Sequence, residues 1–143
     1  CTCGKCGSLI RYGHYPRSVK WRSRRIVLDV QRVLCKECRA THALLPDLLV
    51  PYSQIPLEDQ QKIIRFIEGG ESPSPVLADN YLIDENNVKY IIRQYRKHWK
   101  ERLLSICVTL LDSLIRPCFS AFSRQFMQIH RTRNKLYIPT NTG

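Results

Sequence analysis

Four cysteines carry the clearest chemistry in the sequence. They fall in two Cys-x-x-Cys pairs, Cys3/Cys6 and Cys35/Cys38. Each pair can place two thiolates on one side of a tetrahedron, and a β-hairpin between the pairs can bring the sides together. That is the ligand set of one zinc ion. Gly7, just after the first pair, suits the tight backbone of a zinc knuckle, where N–H groups turn towards sulfur. A site closed by four cysteines leaves no position for water or substrate. The expected ion is therefore structural, folding a region too small to fold alone.

Three further cysteines remain of the seven. Cys1 is an alternative to Cys3, but the pair spacing favours Cys3. Cys107 and Cys118 sit in apolar, helix-like runs and are expected in the core. His42, four residues after Cys38, is a conceivable ligand, although a polar contact at a strand end is the simpler role. No signal-peptide pattern is visible, so a reducing cytoplasm is expected, and metal is favoured over disulfides.

A second chemistry follows from charge. Lys and Arg number 23 against 12 Asp and Glu, a formal charge of +11. Such a surplus points to a polyanionic partner, DNA above all, with RNA or an anionic surface as other candidates. Two clusters carry it. One comprises Lys20, Arg22, Arg24 and Arg25, with Arg17 and Trp21 among them, and suits backbone contact or base stacking. An exposed, solubilising loop is the equally weighted alternative. The other is a helical stripe of Lys89, Arg93, Arg96 and Lys100, flanked by Lys97. It can lie along phosphates while the apolar side of the helix holds the core.

These groups need elements to hold them. Residues 1–50 are rich in β-branched and aromatic residues, and Ile26, Leu28 and Val30 alternate with Val27, Asp29 and Gln31. Short antiparallel strands are expected, with turns near Pro16 and over 20–25. The segment 44–51, bracketed by prolines, reads as an extended linker that packs on its neighbours. Pro56 opens a helix, Ile63, Ile64 and Ile67 give it an apolar side, and Gly69-Gly70 ends it. A short helix near 76–81 follows, cut back by Pro73 and Pro75. Asp84 then caps a helix starting Glu85-Asn86-Asn87-Val88. This order suits a helix-turn-helix whose second helix reads bases through Asn86, Asn87, Lys89, Tyr90 and Arg93. Apolar residues from Val88 to Leu110 recur at helical spacing and predict one long helix, interrupted at Pro117. A last helix would carry Phe119, Phe122, Phe126 and Ile129 on one side.

The expected fold is thus α+β: a small antiparallel β zinc ribbon followed by a mainly helical helix-turn-helix region with a long C-terminal helix. The divisions are 1–50 for the ribbon and linker, 51–100 for the helix-turn-helix, 101–130 for helical packing or homodimerisation, and 131–143 for a loose tail. No apolar run reaches the ~20 residues of a membrane span.

The two knuckles, the phrase Thr41-His42-Ala43-Leu44-Leu45-Pro46-Asp47 and the helix-turn-helix behind it resemble a short bacterial domain family that accompanies transposases. The same order is similar to the N-terminal DNA-end-binding part of some insertion-sequence transposases. The resemblance covers roughly residues 1–100; Arg39 departs from the glycine common after a second knuckle. It implies DNA binding, with Cys3, Cys6, Cys35 and Cys38 as zinc ligands, in a bacterial cytoplasm. A transposase active site needs three carboxylates on an RNase-H-like domain, and the acidic pairs Glu58/Asp59 and Asp84/Glu85 instead sit at helix starts. With no nucleophile or phosphate-loop motif either, a binding module rather than an enzyme is expected. A transcriptional regulator, or an interaction subunit for a transposase or ATPase partner, would use the same parts.

Overall fold

The computed structural model describes residues 3–4 and 7–129 and the backbone of 137–140. The N-terminal region is a sheet with strand order β1-β2-β3-β4. β1 (Leu9–Trp21) and β2 (Arg24–Cys35) form one long antiparallel hairpin, and β3 (Thr41–Pro46) pairs antiparallel with β2. β4 (Tyr137–Thr140) lies parallel to β3. It comes from the expected loose tail, whose residues 131–136 and 141–143 lie outside the described ones.

The hairpin has the turn expected over 20–25 and corrects the one expected near Pro16. Pro16 is inside β1, opposite Asp29. β1 is an edge strand, where a missing N–H costs no ladder bond. The chain reverses at Arg22-Ser23, whose φ angles are both positive, 45° and 65°. That is the backbone of a two-residue type I′ turn. The register shifts between Arg11 and His14. Gly13 has φ 74° there, as in a bulge built on a left-handed glycine. The expected alternation holds: Ile26, Leu28 and Val30 turn inwards, while Val27 and Asp29 are exposed.

The helical region begins with α1 (Leu57–Glu68). Its end is a Schellman motif. Gly70 N–H donates to the Ile67 carbonyl (3.0 Å) and Glu71 N–H to that of Phe66 (2.8 Å). Gly70 supplies the left-handed backbone, with φ 77°. α2 (Ser74–Asp79) is short, with Pro73 at its N-cap and Pro75 in its first turn, where a proline is tolerated. At α3 (Glu85–Gln94) Asp84 accepts from Asn87 N–H at 2.7 Å, and the Asn87 side chain accepts from Asp84 N–H at 3.1 Å. This capping box is the asparagine version of the usual Ser/Glu pair. A π-helical turn, Tyr95–Trp99, carries the helix on into α4 (Lys100–Ser105), and both of these aromatics are buried.

The long helix stops earlier than its apolar spacing suggests. Cys107 adopts φ 55°. Val108 N–H folds back to the Leu103 carbonyl, a C-cap built without glycine. Pro117 does not interrupt that helix. It lies in the first turn of α5 (Ile115–Phe122), where a proline is tolerated. Cys107 is exposed, contrary to its expected core position, whereas Cys118 is fully buried. α5 ends at Ser123 (φ 53°), so Phe126 lies beyond it rather than on its face. Phe126 is nonetheless fully buried. Its ring stands edge-on to Tyr95 at 6.4 Å and to Trp99 at 5.4 Å, the arrangement that aromatic quadrupoles favour.

Two apolar cores result. Val19 of β1, Val30 of β2, Ala43 and Leu45 of β3 and Leu49 of the linker form the core of the sheet. Ile63, Ile64, Ile91, Trp99, Leu103 and Phe126 belong to the larger helical core. The linker joins them through adjacent residues: Leu49 is in the first and Val50 in the second. Gln125 Nε2 donates to the Leu49 carbonyl between them.

Candidate metal centre and basic surface

Cys35 ends β2, and Cys38 follows in the turn before β3. Arg39 N–H closes that turn on the Cys35 carbonyl (2.9 Å), and Cys35 N–H donates to the Ala40 carbonyl (2.9 Å). Lys36 N–H donates to the Ser8 carbonyl (2.9 Å), fastening the second knuckle to the chain leaving the first. Gly7 and Arg39 hold equivalent places after the two knuckles and share a left-handed backbone, φ 70° and 63°. Arg39 thus fits the knuckle at the conformational cost that glycine avoids.

The sulfurs of Cys3, Cys35 and Cys38 lie within 4.8 Å of one another. Cys3 and Cys35 Sγ are 3.6 Å apart, too far for a disulfide and close enough to share a cation. Cys35 is fully buried; Cys3 and Cys38 are exposed. The buried Ser8 hydroxyl sits 3.3 Å from Cys35 Sγ. The Cys35 thiol is lowered to about 6, first by the Cys38 N–H, then by Ser8, then by the Glu37 N–H and Cys3, against burial. Hydrogen bonds to the thiolate favour the charged form. For Cys38 the Ala40 N–H favours the thiolate, but partial loss of water around the sulfur and the neighbouring Cys35 and Cys3 sulfurs outweigh it and raise the thiol. The three groups can hold a metal ion. Cys6, the expected fourth ligand, lies outside the described residues, as does Cys1. His42 is not among the clustered groups; it is buried in β3 opposite Val33.

The basic residues divide into tied and open ones. Arg17 is a clamp, its Nη2 donating to the Val50 (2.6 Å) and Ser53 (2.7 Å) carbonyls of the linker. Lys20 N–H donates to the Gln54 carbonyl (2.8 Å), and its ammonium reaches Asn87 Oδ1 (3.1 Å) at the start of α3. Asn87 is therefore a cap and a hairpin contact at once. Arg22 stacks on Trp21 at 5.5 Å, and Arg22, Arg24 and Arg25 are exposed at the hairpin tip. On the helix, Lys89 pairs with Glu85 (3.1 Å). Arg96 and Lys100 both grip Glu68 of α1 at 2.8 Å, so part of the expected stripe brackets two helices. Lys100 leads, with Arg96, in holding the Glu68 carboxyl below the usual glutamate range. Asn86 and Lys97 are exposed, and exposed Arg93 lies over the Tyr90 ring at 5.7 Å.

The hairpin tip is fastened to the helices by Asn80, which sequence patterning gave no reason to single out. Its Nδ2 donates to the Lys20 carbonyl (2.8 Å) and Asp59 (2.9 Å), and its Oδ1 accepts from Ser23 N–H (3.2 Å). Tyr81 N–H donates to Ser23 Oγ at 3.0 Å. The hairpin that carries the first basic cluster is therefore fixed to α1, to the turn after α2 and, through Asn87, to the start of α3. An apolar groove of Ile67, Val88 and Ile92 runs along the other flank of α3, rimmed by Lys89, Arg93, Arg96 and Lys97. Among the described residues no helix is long and apolar enough to cross a membrane.

No curated protein and no solved structure matches the chain. The model of a domain of unknown function, DUF6431, matches residues 2–85, more than half of the sequence, and the chain belongs to that family.

Proposed function

We infer that this chain is a zinc-stabilised DNA-binding module, without catalytic activity of its own, in which ribbon and helices present one surface. Zinc would be held by Cys3, Cys35 and Cys38, with Cys6 as fourth ligand. Thiolates about 2.3 Å from zinc at tetrahedral angles stand ~3.8 Å apart. The 3.6 Å between Cys3 and Cys35 supports that ion. Ser8 would orient the Cys35 sulfur from behind, as outer groups do around metal ligands. The zinc would act on folding, holding the two knuckles and hence the hairpin between them.

The observation that carries the DNA reading is the contact of Lys20 with Asn87, which ties the hairpin bearing the exposed Arg22, Arg24 and Arg25 to the start of α3. α2, the turn 80–84 and α3 would act as a helix-turn-helix. Asn86, Lys89, Tyr90 and Arg93 would meet base edges, and the hairpin tip would hold phosphates. Association with a mobile element, in the cytoplasm of a bacterium, rests on the resemblance of residues 1–100 described above. A second reading, an interaction subunit for a transposase or ATPase partner, is favoured by the groove of Ile67, Val88 and Ile92. A selection from random duplex DNA with zinc-loaded protein separates the two. An enriched motif supports the DNA reading, and Arg93→Ala should then lower affinity for it by about tenfold or more. Absence of any enriched motif moves the weight to the partner.

A further inference from the structure

Beside the junction lies a cleft of about 360 Å³ between the hairpin, the linker and α3. That volume is within the ~300–1,000 Å³ of small-ligand sites. Ile55 and Ile91 contribute apolar wall, and Tyr52 and Tyr90 border it with 55% and 49% of their surface exposed. Two exposed aromatic rings on one cleft suit a flat, aromatic ligand. Tyr52 also adopts φ 65°, a backbone conformation uncommon for any residue but glycine. Strain of this kind collects at binding sites, where the surrounding structure holds it.

The polar groups narrow the ligand. Asn87 Oδ1 accepts from Lys20 Nζ (3.1 Å) and from Asp84 N–H (3.1 Å), so both of its lone pairs are taken. What Asn87 and Lys20 still offer the cleft is N–H: the two amide hydrogens of Asn87 Nδ2 and the remaining ammonium hydrogens of Lys20. A ligand edge made of adjacent acceptors fits them. Guanine has that edge in O6 and N7. Adenine and cytosine place an amino donor there, and thymine has a single acceptor.

We propose that this cleft receives one unstacked guanine base, its face against Tyr52 and Tyr90 and its O6/N7 edge on Lys20 and Asn87. The site deepens the DNA reading and rests on it for the way a base arrives: a nucleotide leaving the helix beside α3 would enter next to Tyr90. It adds specificity that a helix in the major groove would not supply, since the base is read outside the stack.

The test compares three duplexes of one sequence: fully paired, with one extrahelical guanine, and with one extrahelical adenine. The guanine bulge should bind about tenfold tighter than the adenine bulge. Tyr52→Gly, whose left-handed backbone glycine accepts without strain, should abolish that preference and leave affinity for the paired duplex unchanged, with circular dichroism showing that the variant is folded. Equal affinity for the two bulges overturns the proposal, whatever the paired duplex does. If none of the duplexes binds, the DNA reading fails and guanosine 5′-monophosphate decides the cleft. Shifts of the Asn87 side-chain amide with this nucleotide, and not with its adenosine counterpart, support the site; no shift overturns it.

Discussion

The sheet and the helical unit are stabilised by different means. The sheet core contains five buried apolar residues, Val19, Val30, Ala43, Leu45 and Leu49, and beyond them the cysteine cluster. The helical core is several times larger and holds Trp99 and Phe126 at zero exposure. A region with so little apolar burial gains from a cross-link, and a metal ion on the clustered cysteines, as proposed above, would supply one. The helices need none. Metal dependence should therefore be confined to one half of the molecule, while the contacts of Asn80 and Lys20 decide how far its loss spreads.

The largest effect should come from the metal ligands. Cys35→Ser, or chelation, should remove most of the ~10–16 kcal/mol that structural zinc contributes to such sites. Hydrogen exchange should then lose protection across β1–β3 and keep it in α1 and α3. Equal loss in both halves would break the comparison. Trp99→Ala should do the opposite: it should cost the helical unit about 3–5 kcal/mol in denaturant melts while zinc stoichiometry stays the same.

The same division decides what could be foreseen from residues. Knuckles, caps and helix punctuation are local, so Gly7, Gly69-Gly70 and Asp84 announced themselves. The hairpin turn was legible as a place, over 20–25, but not as a type, because Arg22-Ser23 lacks the Asn-Gly signal and its positive φ values are held by Asn80 and Asp79 from across the fold. The end of the long helix was hidden because Cys107 takes a place usually held by glycine. Phe126 kept helical spacing while leaving the helix, since its burial is set by Tyr95 and Trp99. Of the candidate site, the cysteine pairs were legible. The employment of Arg17, Lys20, Asn87, Arg96 and Lys100 in holding the fold was not, because each depends on a partner remote in sequence.

Smaller perturbations sharpen the comparison at the seam. Asn80 is buried and binds Lys20, Ser23 and Asp59. Asn80→Ala should cost about 2–3 kcal/mol by leaving those groups short of partners, and should loosen the hairpin tip before either core. Amide exchange at Ser23 and Tyr81 would report it. The smallest effect is that of Glu68 with Lys100 and Arg96. Its folded pKa is lowered. Its contribution is therefore complete above the ordinary glutamate range and is lost as pH falls through the folded value. Melts at decreasing pH should show about 1 kcal/mol less acid loss in Glu68→Gln than in the parent chain.

That the hairpin tip and α3 form one DNA-binding surface is tested most directly by the dependence of affinity on salt, measured on one duplex for the parent chain and for Arg24→Ala and Arg93→Ala. Arg24→Ala should lower the slope of log K against log salt by about 1, as loss of one phosphate contact requires. Arg93→Ala should mainly reduce preference for the selected sequence over a scrambled one. Unchanged slopes and unchanged preference in both variants would contradict the shared surface.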